Sequence, residues 1–296
     1  MAQLTAGRSI ARSSSTSTRG RRTPRFRPGD LLFPLILLLA IVYLVLPLLA
    51  IVGFSLAQAW SRTILPDGYT LDWYLEAVRD PRFRPTAMRT LKLVVATSIL
   101  SPLIVTPAVI YVHLKAPKLK PWLEFLSIIP WALPGVVLAL AMIRAYISPY
   151  NVNRPFLLAM TYILISLPFM FRAIDAGLTA INARTLVEAS QMLGAGWLDV
   201  TRRILIPNIM TGVLSGALLV SALASSEFAL ANLMVGSGWK TFPIYQAQAQ
   251  GTDGRIGSAL AVMGLAFTFI VSMILIVLTT RDRRGRNASA TAMANK

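Results

Sequence analysis

The chain has no cysteine and a single histidine, His113, among its 296 residues. Without thiols there is no disulfide framework, no thiolate nucleophile and no Cys-based zinc or iron–sulfur site. One imidazole leaves no multi-histidine metal centre and at most one member of a Ser/His/Asp triad. Charge is scarce as well: Asp, Glu, Lys and Arg make up 14% of residues, against ~25% in an ordinary soluble domain. What charge there is leans one way, with 29 basic and 12 acidic residues and a formal net charge of +17. Such a balance suits nucleic acid when the cations cover a polar surface. Here 55% of residues are hydrophobic and the mean hydropathy is +0.62. That points to membrane lipid and leaves nucleic acid out of the expected partners.

A helix needs ~20 mainly apolar residues to cross ~30 Å of hydrocarbon. Uncharged runs of that order are Leu31–Ser61, Leu93–Leu114, Phe125–Ile143, Pro155–Phe171, Ile204–Ser226 and Ile256–Thr280. In lipid a backbone must satisfy its own hydrogen bonds, and runs this long do so as helices. Barrel strands would be shorter and would alternate polar with apolar residues. The pattern predicts an all-α polytopic membrane protein with six transmembrane helices, at about 31–56, 90–113, 123–147, 156–178, 204–230 and 256–280. Residues 31–280 are the expected membrane domain, between basic tails at 1–30 and 281–296.

With both termini on one side, that side holds 19 basic and six acidic residues, against ten and six on the other. Positive charge accumulates in the cytoplasm, so both termini are placed there. The first apolar run is far longer than the ~7–15 residues of a signal peptide. Despite Ala57-Gln58-Ala59 after it, it reads as a retained helix. Residues 1–27, rich in Ser, Thr and Arg, read as a disordered tail near anionic lipid.

The segment between the fourth and fifth helices is the most informative. Residues 185–193 are good helix formers, with Glu188 expected in the first turn, where a carboxylate suits the helix dipole. Gly194 or Gly196 can take the left-handed cap that ends a helix. Pro207 suits the first turn of the next helix, or a kink in it. A short helix, a turn and a return to the membrane make a lever that a soluble partner can push.

These residues resemble the EAA loop of ABC-importer permeases, whose pattern is Glu-Ala-Ala, three residues, Gly, nine residues, then Ile-x-Leu-Pro. Glu188, Ala189, Gly194, Ile204 and Pro207 match at the family spacing, while Ser190 replaces the second Ala and Ile206 the Leu. The resemblance implies a type I ABC-importer permease fold in a bacterial inner membrane, with a cytoplasmic coupling loop over 183–207. It also implies two ATPase subunits, a second, homologous permease chain and an external substrate-binding protein. ATP and Mg²⁺ would sit on the ATPase; this chain is expected to bind no cofactor or metal and to be no enzyme. Its nearest approach to a phosphate-binding loop, Gly236–Thr241, has Trp239 where the Gly before Lys240 must stand.

Charges inside a membrane are costly and mark function by default. Glu227, after Ser225 and Ser226, ends the fifth uncharged run; it either lines the path and meets a cationic group or marks a helix end. Pro130 and Pro134 interrupt the third helix, as in broken helices along translocation routes, although packing accounts for a bend equally well. Gly212-x-x-x-Gly216 suits close helix contact. Arg144 reads as an interfacial anchor, Arg172 with Asp175 as a local pair, and His113 beside Lys115 as a dipole contact at a helix end.

In the outer loops, Pro66-Asp67-Gly68 signals a turn and Leu71–Val78 a short interfacial helix. Ile64–Leu71, and Gly238–Pro243 with Ile256–Ala259, look like outer-loop segments of 2-aminoethylphosphonate permeases. Residues 30–280 are similar to the spermidine/putrescine branch, which includes ferric-ion and thiamine importers. On that resemblance Gly68, Trp239 and Lys240 are binding-protein contacts, and the solute is 2-aminoethylphosphonate or a polyamine. An ion-coupled secondary transporter would instead carry inverted repeats and several ionisable groups at the midplane. A membrane enzyme would need reactive groups clustered at one depth. The helix interiors are almost free of charge, against both.

Overall fold

The computed structural model describes residues 28–60 and 65–294, so the tail read at 1–27, and Ile64 of the first outer segment, lie outside it. The chain divides after Leu48 into two units. The first is carried by α1 (Pro28–Leu56). Its stretch Leu32–Leu56 is 25 residues, long enough for roughly 37 Å, and an 18-residue stretch within it has a mean hydropathy of 3.2. The large apolar side chains from Leu32 to Leu46 are exposed, which suits lipid as their solvent.

The second unit runs through α2 (Asp72–Arg79), α3 (Phe83–Lys115), a tight turn at Pro117–Leu119, α4 (Lys120–Ala132), α5 (Gly135–Met142), a π-helical turn at Ile143–Ile147 and α6 (Ser148–Tyr150). It continues through α7 (Arg154–Ala180), α8 (Ala183–Met192), α9 (Trp197–Asp199), a second π-helical segment at Val200–Leu205, α10 (Ile206–Ser226), α11 (Ala229–Val235), α12 (Phe242–Thr252) and α13 (Gly254–Ala294). Among the described residues, the one extended pairing outside helices is the Ala57–Tyr69 bridge. Among the described residues five helices are long and apolar enough to cross a membrane, or six where Pro117–Ala132 and Gly135–Tyr150, bent by 97°, count as one broken span.

Helices α3, α7 and α10 form the centre. Met170, Ile174 and Leu178 of α7 meet Val109 of α3 and Leu205 and Ile209 at the start of α10, all buried. Toward the other end, Leu158 and Tyr162 pack with Val94, Met234 and Ile244. Lipid tails are as apolar as leucine, so close packing rather than expulsion of water holds such helices together. Glycine permits it: a Cβ on Gly212 would lie 2.5 Å from the Ala173 carbonyl oxygen. The hydroxyls of Thr97, Thr161, Ser166 and Ser221 donate to carbonyls three or four residues back on their own helices, so burial leaves them satisfied.

Several expectations are corrected. The third helix is interrupted where the prolines predict a break, and the break is sharper than a bend: Leu133 is extended (ψ 138°) and Pro134 heads a new helix. Proline supplies no N–H and disfavours helical backbone just before it, which concentrates the turn there. The fifth helix does not reach residue 230. It stops at Ser226, Glu227 turns extended (ψ 120°), and α11 starts at Ala229. The second span begins at Phe83 rather than near 90, and the last helix continues to Ala294 through the stretch read as a tail. Arg172 and Asp175 do not pair with each other. Arg172 reaches Glu124 at 3.5 Å, and Asp175 takes His113 at 2.8 Å and Lys120 at 2.7 Å. The short outer helix forms at Asp72–Arg79, one residue from its expected place.

Candidate functional site

Helix α8 starts where Asn182 turns left-handed (φ 47°). That is two residues before the expected start, so Glu188 falls in the second turn, not the first. Its carboxylate pairs with Arg184 one turn back at 3.6 Å, both exposed. Ala183 and Val187 point inward to the α3–α7–α10 core, while Glu188 and Ala189 face outward. Ser190, in place of the family's alanine, returns its hydroxyl to the Leu186 carbonyl at 2.6 Å and asks nothing of its neighbours.

The helix ends at a left-handed Gly194 (φ 85°). The Gly194 N–H donates to the Gln191 carbonyl and the Ala195 N–H to that of Ser190, 2.9 and 3.1 Å, which closes off two orphan carbonyls in a Schellman cap. Ala195 then tucks against the core, whereas Met192 and Leu193 are 89% and 90% exposed. Beyond Gly196 the chain winds through α9 and the π-helical segment, with Ile204 and Ile206 half-buried, and Pro207 stands in the first turn of α10. Lys115, at the end of α3, lies 4.8 Å from the centre of the Trp197 ring. The loop is therefore rigidly rooted and apolar at its tip.

The path candidates come together. Gly135, which follows Pro134, is placed so that a Cβ would touch Leu230 and Ala229 at 3.7 and 3.9 Å. The break in the α4–α5 pair thus lies against the break after Ser226. The Glu227 carboxylate accepts the N–H groups of Leu230 (3.0 Å) and Ala231 (3.3 Å), capping α11, while the Tyr162 hydroxyl donates to the Glu227 carbonyl at 3.3 Å. Ser226 is exposed and bonds back to Ala222. Pro130 lies inside α4, one turn before the break.

At the far end of α3, the Thr90 hydroxyl accepts the Phe242 N–H at 2.8 Å. Thr90 and Lys115 are 25 residues apart on one helix, roughly 37 Å, so the loops expected to face outward sit at the opposite end of the bundle from the Gly194 turn. The Gly68 carbonyl accepts the Gln58 N–H at 2.8 Å beside the Ala57–Tyr69 bridge. Trp239 is half-buried under the Arg89 guanidinium, 5.5 Å away, and Lys240 donates to Gln248 at 2.8 Å. Close by, Asp80 takes a bidentate grip from Arg82 (2.7–3.1 Å) and a hydrogen bond from Tyr245 at 3.0 Å. The Arg82 hydrogen bonds lower the Asp80 carboxyl to about 2, and burial with the Asp80 bond pushes Tyr245 up to about 12. These partners lie 165 residues apart, and no sequence spacing announces them. The same is true of His113 and Asp175. Among the described residues no three His, Cys, Asp or Glu side chains gather as a metal site would need.

Comparison with known proteins decides what such a chain is. The profile of the family described as "Binding-protein-dependent transport system inner membrane component" matches residues 106–284. The chain belongs to that family. This permease is 28% identical over 243 residues to a putative 2-aminoethylphosphonate transport system permease protein of Salmonella typhimurium, covering 80% of this chain and 89% of that one. It is 25% identical over 260 residues to a putrescine transport system permease protein of Escherichia coli, 85% and 92% of the two chains. In fold it is similar to a chain of a bacterial ABC transporter that imports alginate (TM-score 0.66, 17% identity, 86% of this chain and 96% of that one). A methionine ABC transporter chain aligns at TM-score 0.56 and 15% identity, over 72% and 99%. The protein is thus a non-catalytic, multi-pass permease subunit of an ABC importer in the importer-permease fold, with five or six membrane helices among the described residues.

Proposed function

We propose that this permease forms half of a solute path and receives the ATPase stroke on α8. The observation that carries the reading is the apolar tip of the loop, Met192 and Leu193, held on a helix rooted by Val187. Large apolar side chains exposed at a rigid apex suit a hydrophobic groove on a soluble partner. In this reading Glu188, Ala189 and Ser190 face that groove, Gly194 sets the turn, and Ile204 and Pro207 fix the return into the membrane. Two ATPase subunits, which hold ATP and Mg²⁺, drive two homologous permease chains. An external binding protein meets the opposite end at Gly68, Trp239 and Lys240. Residues 31–280 are the membrane domain, 1–30 and 281–296 are basic cytoplasmic extensions, and both termini face the cytoplasm.

The cargo is a small solute bearing an ammonium group, as in 2-aminoethylphosphonate and putrescine, for which similar permeases are named. Glu227 and Ser226, with Pro130 and Pro134, stand where two helix breaks meet, and a carboxylate there complements a cation. A ferric-ion or thiamine cargo is the alternative. Replacing Glu188 with Lys, or Gly194 with Leu, is expected to leave membrane insertion intact and abolish ATP-driven uptake; normal uptake by either variant would overturn the coupling assignment. Binding of 2-aminoethylphosphonate, putrescine and ferric ion to the cognate external receptor separates the cargoes.

A further inference from the structure

A second link joins the coupling loop to the membrane helices through residues far from it in sequence. At the inner end of α3, Lys115 stacks on Trp197 at 4.8 Å, just beyond the Gly194 turn. Two residues earlier, His113 Nδ1 meets Asp175 Oδ1 of α7 at 2.8 Å. The other oxygen of Asp175 takes the Lys120 ammonium at 2.7 Å, from the first residue of α4. Farther along the same faces, Arg172 reaches Glu124 at 3.5 Å. The Asp175 side chain is only 18% exposed, and charge-assisted bonds held away from water are the strong ones. Residues 113–120 thus grip the exit of the coupling loop with one hand and the root of α4 with the other. Helix α4 ends at the 97° break beside Glu227.

We infer that the His113–Lys120 segment carries the displacement of the coupling loop to the helix break, with Lys115, Trp197 and Asp175 as positioning residues. The inference rests on the coupling role proposed for α8. A lever rooted through Val187 bears on the middle of the α3–α7–α10 core; the Lys115–Trp197 contact adds a direct tie to the inner end of α3, and the Asp175 bridge adds α4. No step in this chain requires the residues to touch solute or nucleotide.

The test is the number of solute molecules moved per ATP hydrolysed, in vesicles holding the complete complex and its binding protein. Radiolabelled 2-aminoethylphosphonate and putrescine are the probes. A purely structural role changes how much complex assembles but not this ratio. Trp197→Leu and Lys115→Gln, at exposed positions, are expected to lower it about 2–5-fold, the factor set by one exposed cation–π contact. Trp197→Phe and Lys115→Arg keep the contact and should stay near the unaltered ratio. Asp175→Asn should lower the ratio as well, read on whatever complex assembles. An unchanged ratio in Trp197→Leu and Lys115→Gln, or an equal fall in Trp197→Phe and Trp197→Leu, would overturn the inference alone. If the unaltered complex takes up neither probe in an ATP-dependent way, the cargo reading fails and the same ratio is read with ferric ion or thiamine; no ATP-dependent uptake of any of the four would overturn the coupling role of α8 and this link with it.

Discussion

The contact between α7 and α10 can be tested with two substitutions of identical chemistry. Gly212 and Gly216 lie one turn apart on α10, facing α7. An alanine Cβ at 212 would stand 2.5 Å from the Ala173 carbonyl oxygen and 3.5 Å from the Gly177 Cα, all fixed backbone. Ordinary contact begins near 3.4 Å, so the helices must part by almost 1 Å. A gap of that size forfeits a quarter to a half of the dispersion energy of each contact along the seam. Overpacking of this kind costs ~1–3 kcal/mol. At 216 the nearest atom is the Met170 sulfur, also at 2.5 Å, but a thioether can swing aside. Each Gly→Ala change also gains ~0.8–1 kcal/mol of helix propensity. Gly216→Ala should therefore lie near the unaltered stability, and Gly212→Ala should lose up to ~2 kcal/mol, or a fall of a few degrees in the unfolding midpoint. Thermal unfolding of the purified subunit in detergent measures both. Equal midpoints, or a larger loss for Gly216→Ala, would refute the argument from backbone proximity.

Other outcomes follow from single residues. Gly194 has open space around it but φ of 85°, so Gly194→Asn should retain ATPase co-purification while Gly194→Val, strained by ~1–3 kcal/mol, should weaken it; equal behaviour would deny the left-handed cap its role. Glu227→Leu leaves the Leu230 and Ala231 N–H groups without their acceptor, at ~1–3 kcal/mol for each left buried and unmet, whereas Glu227→Gln keeps an acceptor. Normal folding with weaker uptake in Glu227→Gln marks a charge that meets solute, and unchanged uptake removes Glu227 from the path. Asp80, lowered from 3.8 to about 2, stabilises the outer end fully above pH 3.8 and loses that contribution as pH falls through about 2. Tyr245, raised from 10.0 to about 12, contributes fully below pH 10 and loses its contribution as pH rises through about 12. Phenolate absorbance should therefore show Tyr245 ionising near pH 12, and lower in Asp80→Asn though still above 10, because burial, the larger cause, remains; an unmoved titration would mean Asp80 is not its partner. Because the chain lacks cysteine, a Cys introduced at Asp67 should be labelled from outside the cell and one at Met192 should not; the reverse pattern would invert the orientation.

Long apolar runs made the membrane helices legible, since a backbone crossing hydrocarbon has few other choices. The helix and turn between α7 and α10 were legible because Gly194 stands where only a residue tolerant of positive φ fits, at a fixed distance from Glu188 and Pro207. Helix interruptions were harder. Pro130 and Pro134 announced one, but nothing in Ser225-Ser226-Glu227 announces that a carboxylate will cap a new helix three residues on. Ionic partners were the least legible. Spacing favoured Arg172 with Asp175, yet in a bundle the charges lie on faces that meet other helices, and His113, Lys120 and Glu124 were closer to hand.

The inward-folded hydroxyls of the central helices have a mechanical consequence. Thr97, Thr161, Ser166 and Ser221 each spend their hydrogen on their own strand of backbone. At mid-depth the side-chain bonds that cross between these helices are hydroxyl pairs such as Ser101 with Ser166 at 3.5 Å and Ser225 with Thr268 at 3.1 Å, whereas the ion pairs of Asp175 and Glu124 gather at one end. Sliding at mid-depth therefore ruptures few polar links, while the ion pairs near the α3–α4 turn hold one end. Closely nested helix middles resist compression yet yield in shear, pivoting on the end that those charges pin.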